Sequence, residues 1–156
     1  MSLIRLYFPN KIQSDLTSHL PKEQTHYIKD VMRLKIGDKL SIFNTFGEWN
    51  AVIESYEKNG VKIKVKEKVR DKDNEKNIWL AFSPIKQNPL NFVIQKGTEL
   101  GVQKFIPILA ERTIVREINI ERIKKIIIES SEQSNRTSIP EINKPESLKN
   151  FLYTFP

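Results

Sequence analysis

The stretch IWLAFSPIKQNPLNFVIQKGTELGVQKFIPIL, residues 78–109, has the pattern of a strand, a helix and a second strand. Its two ends are nearly continuous apolar runs of strand length, as is typical of strands buried on both faces. Between them, Asn88 and Pro89 suit the start of a helix, and Gly101 suits its end. The stretch therefore predicts a βαβ unit with parallel strands and a right-handed crossover.

The residues after this stretch continue the alternation of helix and strand. The predicted elements are a helix over 119–134 that is capped by Asn119, a short strand over 138–142 and a helix over 145–155. The order βαβαβα is typical of an α/β domain with a parallel sheet. Because a usual doubly wound domain has about six strands, we expect residues 78–156 to form only part of such a domain.

The chain before residue 70 has a different pattern, in which short strands alternate with turns. Asn59-Gly60 is a strong hairpin signal, and a turn is predicted at Phe46-Gly47. The predicted strands are KLSIFN (39–44), EWNAVIESYE (48–57) and VKIKVKEKV (61–69). One helix is predicted over residues 21–34, with an apolar stripe made of Tyr27, Ile28, Val31 and Met32. Several short strands with closely spaced turns indicate a small β-barrel or curled sheet.

Four lysines alternate with apolar residues along 61–69, and two interpretations are open. Lysines on the open face of an edge strand prevent edge-to-edge pairing, and this interpretation is favoured because no aromatic residue is interleaved with them. The alternative is a surface that follows an RNA backbone. The next segment, RDKDNEKN (70–77), is charged and without an apolar residue, so we interpret it as a linker between two domains.

Composition narrows the class of protein. The 156 residues carry a net charge of +7, which favours polyanionic partners such as RNA or DNA. There is no cysteine, so disulfides and thiolate chemistry are excluded and a reducing, cytoplasmic location is expected. No run approaches the roughly 18 apolar residues of a membrane span. Both histidines lie in the first half, and no glycine-rich phosphate loop occurs, so a Ser-His triad, a zinc site or a nucleotide loop is not expected.

Three polar segments of the second half are candidate sites. In QKGTELG (95–101), Glu99 lies where the helix dipole disfavours a negative charge, so a partner such as Lys96 or Lys104 is expected. AERTIVRE (110–117) follows a strand, and its Arg112 suits phosphate, although a solvated loop is the alternative. EQSNR (132–136) has Glu132 and Arg136 at the spacing of a helical ion pair, but it carries more side-chain donors than that pair needs.

Several motifs together resemble the bacterial RsmE family. They are QKGTELGVQKFIPI (95–108), ERT (111–113) and ESSEQSNRTSIPEI (129–142), together with RLYFP (5–9) and HYIKDVMRLKIGDKLSIFN (26–44) in the first half. The resemblance runs over essentially the whole chain in order and spacing. It implies a PUA-like RNA-binding β-barrel domain over 1–69, a linker over 70–77, and over 78–156 the front part of a SPOUT trefoil-knot α/β methyltransferase domain.

The resemblance also implies an activity. Members of this family methylate uridine N3 in small-subunit (16S) ribosomal RNA, with S-adenosylmethionine as donor, and pair as homodimers through the knot. The family's glycine-rich knot segment would follow Pro156, so this chain is expected to lack most of the donor site and to be inactive alone. The alternative is a non-catalytic RNA- or ribosome-binding module. No membrane association and no metal are expected.

By analogy with the family, roles are expected for individual residues. Arg136 and Glu132 are the candidate catalytic residues, with Arg136 stabilising the charge that develops when the uracil imide loses its proton. The candidates for the rim of the active site are Glu99, Arg112, Gln133 and Asn135. The candidates for RNA contact in the first domain are Arg5, His26, Arg33 and Lys35.

Overall fold

The computed structural model describes residues 3–155, so Pro156, where the sequence ends, lies outside the described residues. The chain divides between Asp73 and Asn74 into two compact units, which we call the N-terminal unit and the C-terminal unit. Each unit has its own hydrophobic core. In the described range, no helix is both long enough and apolar enough to cross a membrane.

The N-terminal unit is built on five strands. Its elements are β1 (Arg5–Tyr7), β2 (Thr17–His19), α1 (Lys22–His26), β3 (Lys39–Asn44), β4 (Gly47–Glu57) and β5 (Gly60–Asp71). The strands form one sheet in the order β1-β3-β4-β5-β2. β1 is parallel to β3, and the other neighbours are antiparallel. The core contains Leu6, Phe8, Leu20, Ile28, Leu40, Ile42, Trp49, Ile53, Val61, Ile63 and Val65.

Both predicted hairpins are confirmed. β3 turns into β4 between Asn44 and Gly47, and β4 turns into β5 between Glu57 and Gly60. Gly60 has a φ of +127°, and a Cβ on it would lie 2.8 Å from the carbonyl oxygen of Leu20. Because only glycine tolerates both conditions, the Asn59-Gly60 signal fixes this turn.

The alternation along β5 is confirmed, but the predicted edge strand is not. The three apolar side chains at 61, 63 and 65 are fully buried. β5 pairs with β4 on one side and, across Lys62–Lys64, with β2 on the other, so these lysines do not line an exposed edge. Instead, Lys62 lies 3.3 Å from Glu54, and Lys68 lies 2.6 Å from Asp71.

The helix predicted over 21–34 is shorter and less regular than expected. α1 ends at His26, and the chain continues as a π-helical turn, Tyr27–Val31, closed by Met32 N–H on the carbonyl of Tyr27. Of the predicted apolar stripe only Ile28 is buried, whereas its other three members are exposed. The prediction of the stripe was wrong because a wider turn does not keep the 3.6-residue period on which it rested.

The C-terminal unit alternates strands and helices as predicted, except for one additional short strand before the last helix. Its elements are β6 (Ile78–Phe82), α2 (Gln87–Glu99), β7 (Val102–Leu109), α3 (Ile120–Gln133), β8 (Glu141–Ile142), β9 (Glu146–Ser147) and α4 (Leu148–Thr154). All strand pairs are parallel: β6 and β8 flank β7, and β9 pairs with the last residues of β7. α2 and α3 pack on each other over a core made of Leu90, Ile94, Val102, Phe105, Ile123 and Ile127.

The predicted helix boundaries are confirmed at two points and wrong at two. Asn119 caps α3 by accepting a hydrogen bond from Arg122 N–H at 3.0 Å, and α2 ends before Gly101, whose φ is +98°. The helix predicted over 145–155 is present as α4 but begins only at Leu148, capped by Ser147, because Glu146–Ser147 pair with β7 as β9. α2 begins at Gln87 rather than after Asn88, because Lys86 in extended conformation takes the cap position without a side-chain hydrogen bond.

Candidate functional site

Arg136 lies at the centre of a buried polar cluster in the C-terminal unit. Only 5% of this residue is exposed. Its Nε and Nη2 donate to the two carboxylate oxygens of Glu75, with Nε at 2.9 Å. Nη1 donates to the carbonyls of Thr98 and Val102, and Nη2 also reaches Ser138 Oγ at 2.8 Å. The five N–H groups of the guanidinium therefore all have partners in the protein.

Glu75 is the counter-charge of this cluster and accepts further hydrogen bonds. Besides Arg136, its carboxylate accepts hydrogen bonds from Gln103 Nε2 at 2.6 Å and from Ser138 Oγ at 2.7 Å. A bidentate arginine–carboxylate pair with additional hydrogen bonds to the carboxylate is the arrangement that a buried charge requires. Sequence reasoning missed Glu75 because it stands in the charged segment 70–77, which looked like a solvated linker.

The backbone around Arg136 explains the polar end of α3. Asn135 adopts a left-handed conformation, with φ +61°, directly after the C-cap Ser134. Arg136 N–H then donates to the carbonyl of Ser131, which is the 6→1 bond of a Schellman cap. The hydroxyl of Ser134 bonds the carbonyl of Ser130 at 2.7 Å. Much of the polar run therefore ends the helix and satisfies its last carbonyls.

The predicted helical spacing of Glu132 and Arg136 does not apply, because α3 ends at Gln133 and Arg136 lies beyond it. Gln133 is the exposed last residue of the helix, and Glu132 is half-buried beside it. Arg136 contacts the first residue of β7 and the end of α2. The segment 132–136 therefore lies at the amino edge of the sheet, by which we mean the edge where its parallel strands begin.

Glu99 also lies at the amino edge, as the last residue of α2. Lys96 Nζ donates to it at 2.7 Å and Gln95 Nε2 at 2.9 Å, so the expected partner for this carboxylate is confirmed as Lys96. The hydrogen bond from Lys96, followed by that from Gln95, lowers the pKa of Glu99 below its ordinary value. The geometry therefore accounts for Glu99 as a helix-end ion pair.

Arg112 lies at the opposite edge, where β7 ends at Leu109, which we call the carboxyl edge. It is exposed, in a turn closed at its base by Ala110 and Thr113: each donates its N–H to the other residue, at 3.1 Å to the Ala110 carbonyl and 2.9 Å to Thr113 Oγ1. The structure thus separates the predicted residues of the C-terminal unit. Glu99, Glu132, Gln133, Asn135 and Arg136 lie at the amino edge, and Arg112 lies at the carboxyl edge.

In the N-terminal unit, Arg5 is a packed residue rather than an exposed cation. Its guanidinium donates to both carboxylate oxygens of Glu48, at 2.9 and 3.0 Å, and lies over the ring of Phe43. Burial tends to raise the pKa of Glu48, but hydrogen bonds from Arg5 and Ser41 and the charges of Arg5 and Arg70 outweigh it, so the pKa is lowered. The predicted RNA contact of Arg5 stays a prediction, and this geometry does not favour it.

The other three candidates for RNA contact are exposed. His26 Nδ1 is hydrogen-bonded to Asp30 Oδ2 at 2.7 Å, and both side chains are mostly in solvent. Arg33 holds a left-handed backbone, with φ +54°, and Lys35 follows two residues later. The three flank the π-helical turn, in which Tyr27 and Val31 are exposed. Their role stays a prediction.

Two family models match the chain. The model described as "RNA methyltransferase domain" covers residues 72–156, and the model described as "RNA methyltransferase PUA domain" covers residues 20–66. The chain belongs to this RNA methyltransferase family. The resemblance to the RsmE family is confirmed by curated relatives that carry the name "Ribosomal RNA small subunit methyltransferase E". The relative from Rickettsia conorii is 34% identical over 154 residues, and that from Bacillus subtilis is 31% identical over 150.

Solved structures agree with this assignment. The ribosomal RNA small subunit methyltransferase E from Neisseria gonorrhoeae, bound to S-adenosyl methionine, matches 99% of this chain and 66% of its own, with 28% identity and a TM-score of 0.89. A structure from Legionella pneumophila with bound SAM matches 99% of this chain and 67% of its own, with 29% identity and a TM-score of 0.90. The predicted fold class, a PUA-like domain followed by part of a SPOUT α/β domain, is confirmed.

The alignments cover nearly all of this chain but a smaller share of each relative. The aligned region is 97% of this chain but 63% of the Rickettsia protein, and 91% of this chain but 59% of the Bacillus protein. The chain therefore spans less than two thirds of the length of these relatives.

Proposed function

We propose that this chain belongs to an enzyme that methylates small-subunit ribosomal RNA with S-adenosylmethionine as donor, at N3 of a uridine. The observation that carries the proposal is the order of the two units: a PUA domain of the RNA methyltransferase type precedes an RNA methyltransferase domain, and together they superpose on structures that contain the donor. The proposal includes a cytoplasmic location, where ribosomal RNA is processed.

The donor supplies a methyl group on a positively charged sulfur, and we propose that this chain holds only part of its site. A groove of about 490 Å³ lies between α2 and α3. Adenine sites are mostly apolar, whereas this groove has Ile126 as its one apolar wall among amides and charges. We therefore assign donor binding to the whole protein and derive from this chain only its RNA contacts and its positioning contacts.

The reaction requires that the uracil N3–H loses its proton and that the negative charge on the imide is stabilised until the methyl group arrives. For Arg136 to take this role, its guanidinium would have to leave Glu75, Ser138 and two carbonyls, at the cost of unpaired buried groups. We infer that Arg136 and Glu75 are positioning residues. They hold the segment after α3 against the start of β7, and the catalytic charge is supplied elsewhere.

RNA recognition is the part of the function that this chain carries alone. Its net charge of +7 favours an RNA backbone, and His26, Arg33 and Lys35 present exposed cationic or polar groups beside exposed Tyr27 and Met32. Basic groups next to aromatic and apolar surface are suited to single-stranded RNA. These residues form the proposed contact surface of the N-terminal unit.

The test is a pair of titrations into the 156-residue chain. Calorimetry with fragments of small-subunit ribosomal RNA is expected to show binding that weakens as salt increases, and calorimetry with S-adenosylmethionine is expected to show none. Failure to bind any RNA fragment contradicts the proposal. Clear donor binding contradicts the statement that the donor site is incomplete in these residues. For the whole protein, nucleoside analysis of treated ribosomal RNA is expected to show 3-methyluridine.

A non-catalytic RNA- or ribosome-binding module is the second candidate, and the polar groove is the observation that favours it. The two candidates differ in the whole protein: an enzyme transfers labelled methyl groups to ribosomal RNA, whereas a binding module retains RNA affinity without transfer. We also propose pairing of protomers through the C-terminal unit, because Leu152, Tyr153 and Phe155 are exposed on or next to α4. Sedimentation equilibrium measures whether the protomers pair.

A further inference from the structure

We propose that the turn after β7, Ala110–Glu117, is an RNA contact in which Ile114 packs between bases while Arg112 and Arg116 neutralise phosphates. The inference rests on the proposed function and deepens it, since it names the surface of the C-terminal unit that meets the RNA. It concerns the carboxyl edge of the sheet, opposite the cluster of Arg136.

Ile114 is exposed to an unusual degree for an apolar side chain, with 94% of the residue in solvent. The turn around it is ordered on both sides. Ala110 and Thr113 close its base through two hydrogen bonds, and Ile118 packs against the core of the unit. The neighbours of Ile114 are held in place while its own side chain stays in water. Because covering apolar surface lowers the free energy, such a side chain is suited to packing against a partner.

The charges beside Ile114 select the class of partner. Arg112 and Arg116 stand two residues before and two residues after it, and both are exposed. Within residues 3–155, neither guanidinium has an ion-pair partner. Glu111 and Glu117 are also exposed, one residue further along the sequence from Ile114 on each side than the two arginines. Two arginines that flank an apolar tip are complementary to a polyanion with apolar bases between its charges, which is RNA.

The location of the turn agrees with this assignment. In open parallel sheets, ligands bind outside the carboxyl ends of the strands. Lys86 follows β6, the strand next to β7, and is exposed at the same edge. A base that is to be modified on its pairing edge has to leave its stack, and proteins that open stacks insert apolar side chains between neighbouring bases. Ile114 has the size, the exposure and the place for that task.

The experiment measures fluorescence anisotropy of labelled fragments of small-subunit ribosomal RNA with the 156-residue chain, over a range of salt concentrations. Ile114→Ala is expected to weaken binding roughly tenfold, the loss typical of one stacked base, without changing the salt dependence. Arg112→Ala and Arg116→Ala are each expected to reduce the slope of log affinity against log salt by about 0.7, the value for one phosphate on a single strand.

Two variants at the amino edge serve as matched controls. Leu100 is 81% exposed after the end of α2, and Lys76 is exposed before the start of β6. Leu100→Ala and Lys76→Ala remove the same kinds of side chain from the other edge of the same sheet, and both are expected to leave affinity and salt slope within about twofold of the parent, as is usual for surface groups outside an interface. Circular dichroism confirms that all five variants are folded.

Three outcomes overturn the inference. If the parent chain binds RNA but the variants of the turn match the controls, the contact lies elsewhere and the proposed function stands. If the parent binds no fragment, the proposed function fails and this inference fails with it. If Ile114→Ala leaves RNA affinity unchanged but alters the sedimentation of the chain, the turn meets a second copy rather than RNA.

Discussion

The two edges of the C-terminal sheet use arginine in opposite ways. At the amino edge, Arg136 is buried and donates all five of its N–H groups to Glu75, Ser138 and two carbonyls. At the carboxyl edge, Arg112 is exposed in the turn after β7, and Ile114 beside it is almost wholly in solvent. The same side chain therefore holds the fold together at one edge and is available to a ligand at the other.

The difference shows that a dense group of polar residues is not by itself a ligand site. Burying a charged group requires that its hydrogen-bonding capacity be met within the protein, and a group so satisfied has little left for a substrate. The segment 132–136 is polar because it ends α3 and anchors β7. At the carboxyl edge, by contrast, Arg112 and Arg116 are exposed and have no ion-pair partner among residues 3–155.

The largest effect on stability is expected from one of two isosteric changes, each of which removes one carboxylate charge. Glu75→Gln leaves the guanidinium of Arg136 buried without its counter-charge, and we expect it to lower the free energy of unfolding by about 3 kcal/mol. Glu141→Gln removes the partner of Lys104, an ion pair at 3.5 Å whose carboxylate is mostly in solvent, and less than about 1 kcal/mol is expected. Urea unfolding monitored by circular dichroism measures both. Equal losses would mean that the buried pair contributes no more than a surface pair.

A smaller effect is expected at the end of α3. Asn135 has a positive φ, which costs a residue with a Cβ about 1–2 kcal/mol unless it is asparagine or glycine. Asn135→Ala is therefore expected to destabilise the chain by about 1 kcal/mol, whereas Asn135→Gly is expected to retain or slightly increase stability. The same urea unfolding experiment measures the stability of both variants. If alanine and glycine behave alike at this position, the left-handed cap does not limit stability.

A still smaller effect is expected at the amino edge, where the contribution of Glu99 to stability depends on pH. Because its pKa is lowered in the folded protein by Lys96 and Gln95, its ionised form contributes stability above the pKa of the unfolded chain. That contribution is lost as pH falls through the folded pKa. Glu99→Gln is therefore expected to be less stable than the parent at neutral pH and equally stable in acid. A difference that grows as pH falls would have the wrong sign and would contradict the ion pair.

At the carboxyl edge, almost no effect on stability is expected. Arg112→Ala and Ile114→Ala remove exposed groups from a turn that is held by Ala110, Thr113 and Ile118, so the free energy of unfolding is expected to change by less than about 0.5 kcal/mol. Thermal unfolding of both variants checks this. A loss as large as that of Glu75→Gln would show that the turn is part of the packed structure and would remove the contrast between the edges.

The elements of the fold were predictable where the pattern is periodic and local. The apolar runs on either side of α2, the alternation along β5 and the Asn59-Gly60 turn each depend on residues that are neighbours in sequence. The π-helical turn after α1 was not predictable in this way. Its hydrogen bond joins residues five apart, so the apolar side chains do not follow the 3.6-residue period of an α-helix. The start of α2 was misplaced by one to two residues for a related reason: Asn88 and Pro89 have the residue types of a cap, but extended Lys86 already begins the helix.

The candidate site was predictable in part. The sequence indicated Arg112, Arg136 and Glu99 as residues that need partners, and it correctly suggested Lys96 for Glu99. It did not indicate that Glu75, 61 positions before Arg136, binds it. A pairing over that separation depends on how β6 and β7 bring their first residues together, which local spacing does not contain.

The most direct test of the difference between the two edges is the RNA affinity of Arg112→Ala and Glu75→Gln, measured side by side by fluorescence anisotropy at a temperature where both variants are folded. We expect Arg112→Ala to bind fragments of small-subunit ribosomal RNA more weakly and with a smaller salt slope, and Glu75→Gln to bind them as the parent chain does. Normal binding by Arg112→Ala together with weakened binding by Glu75→Gln would reverse the assignment, and the amino edge would be the RNA-binding one.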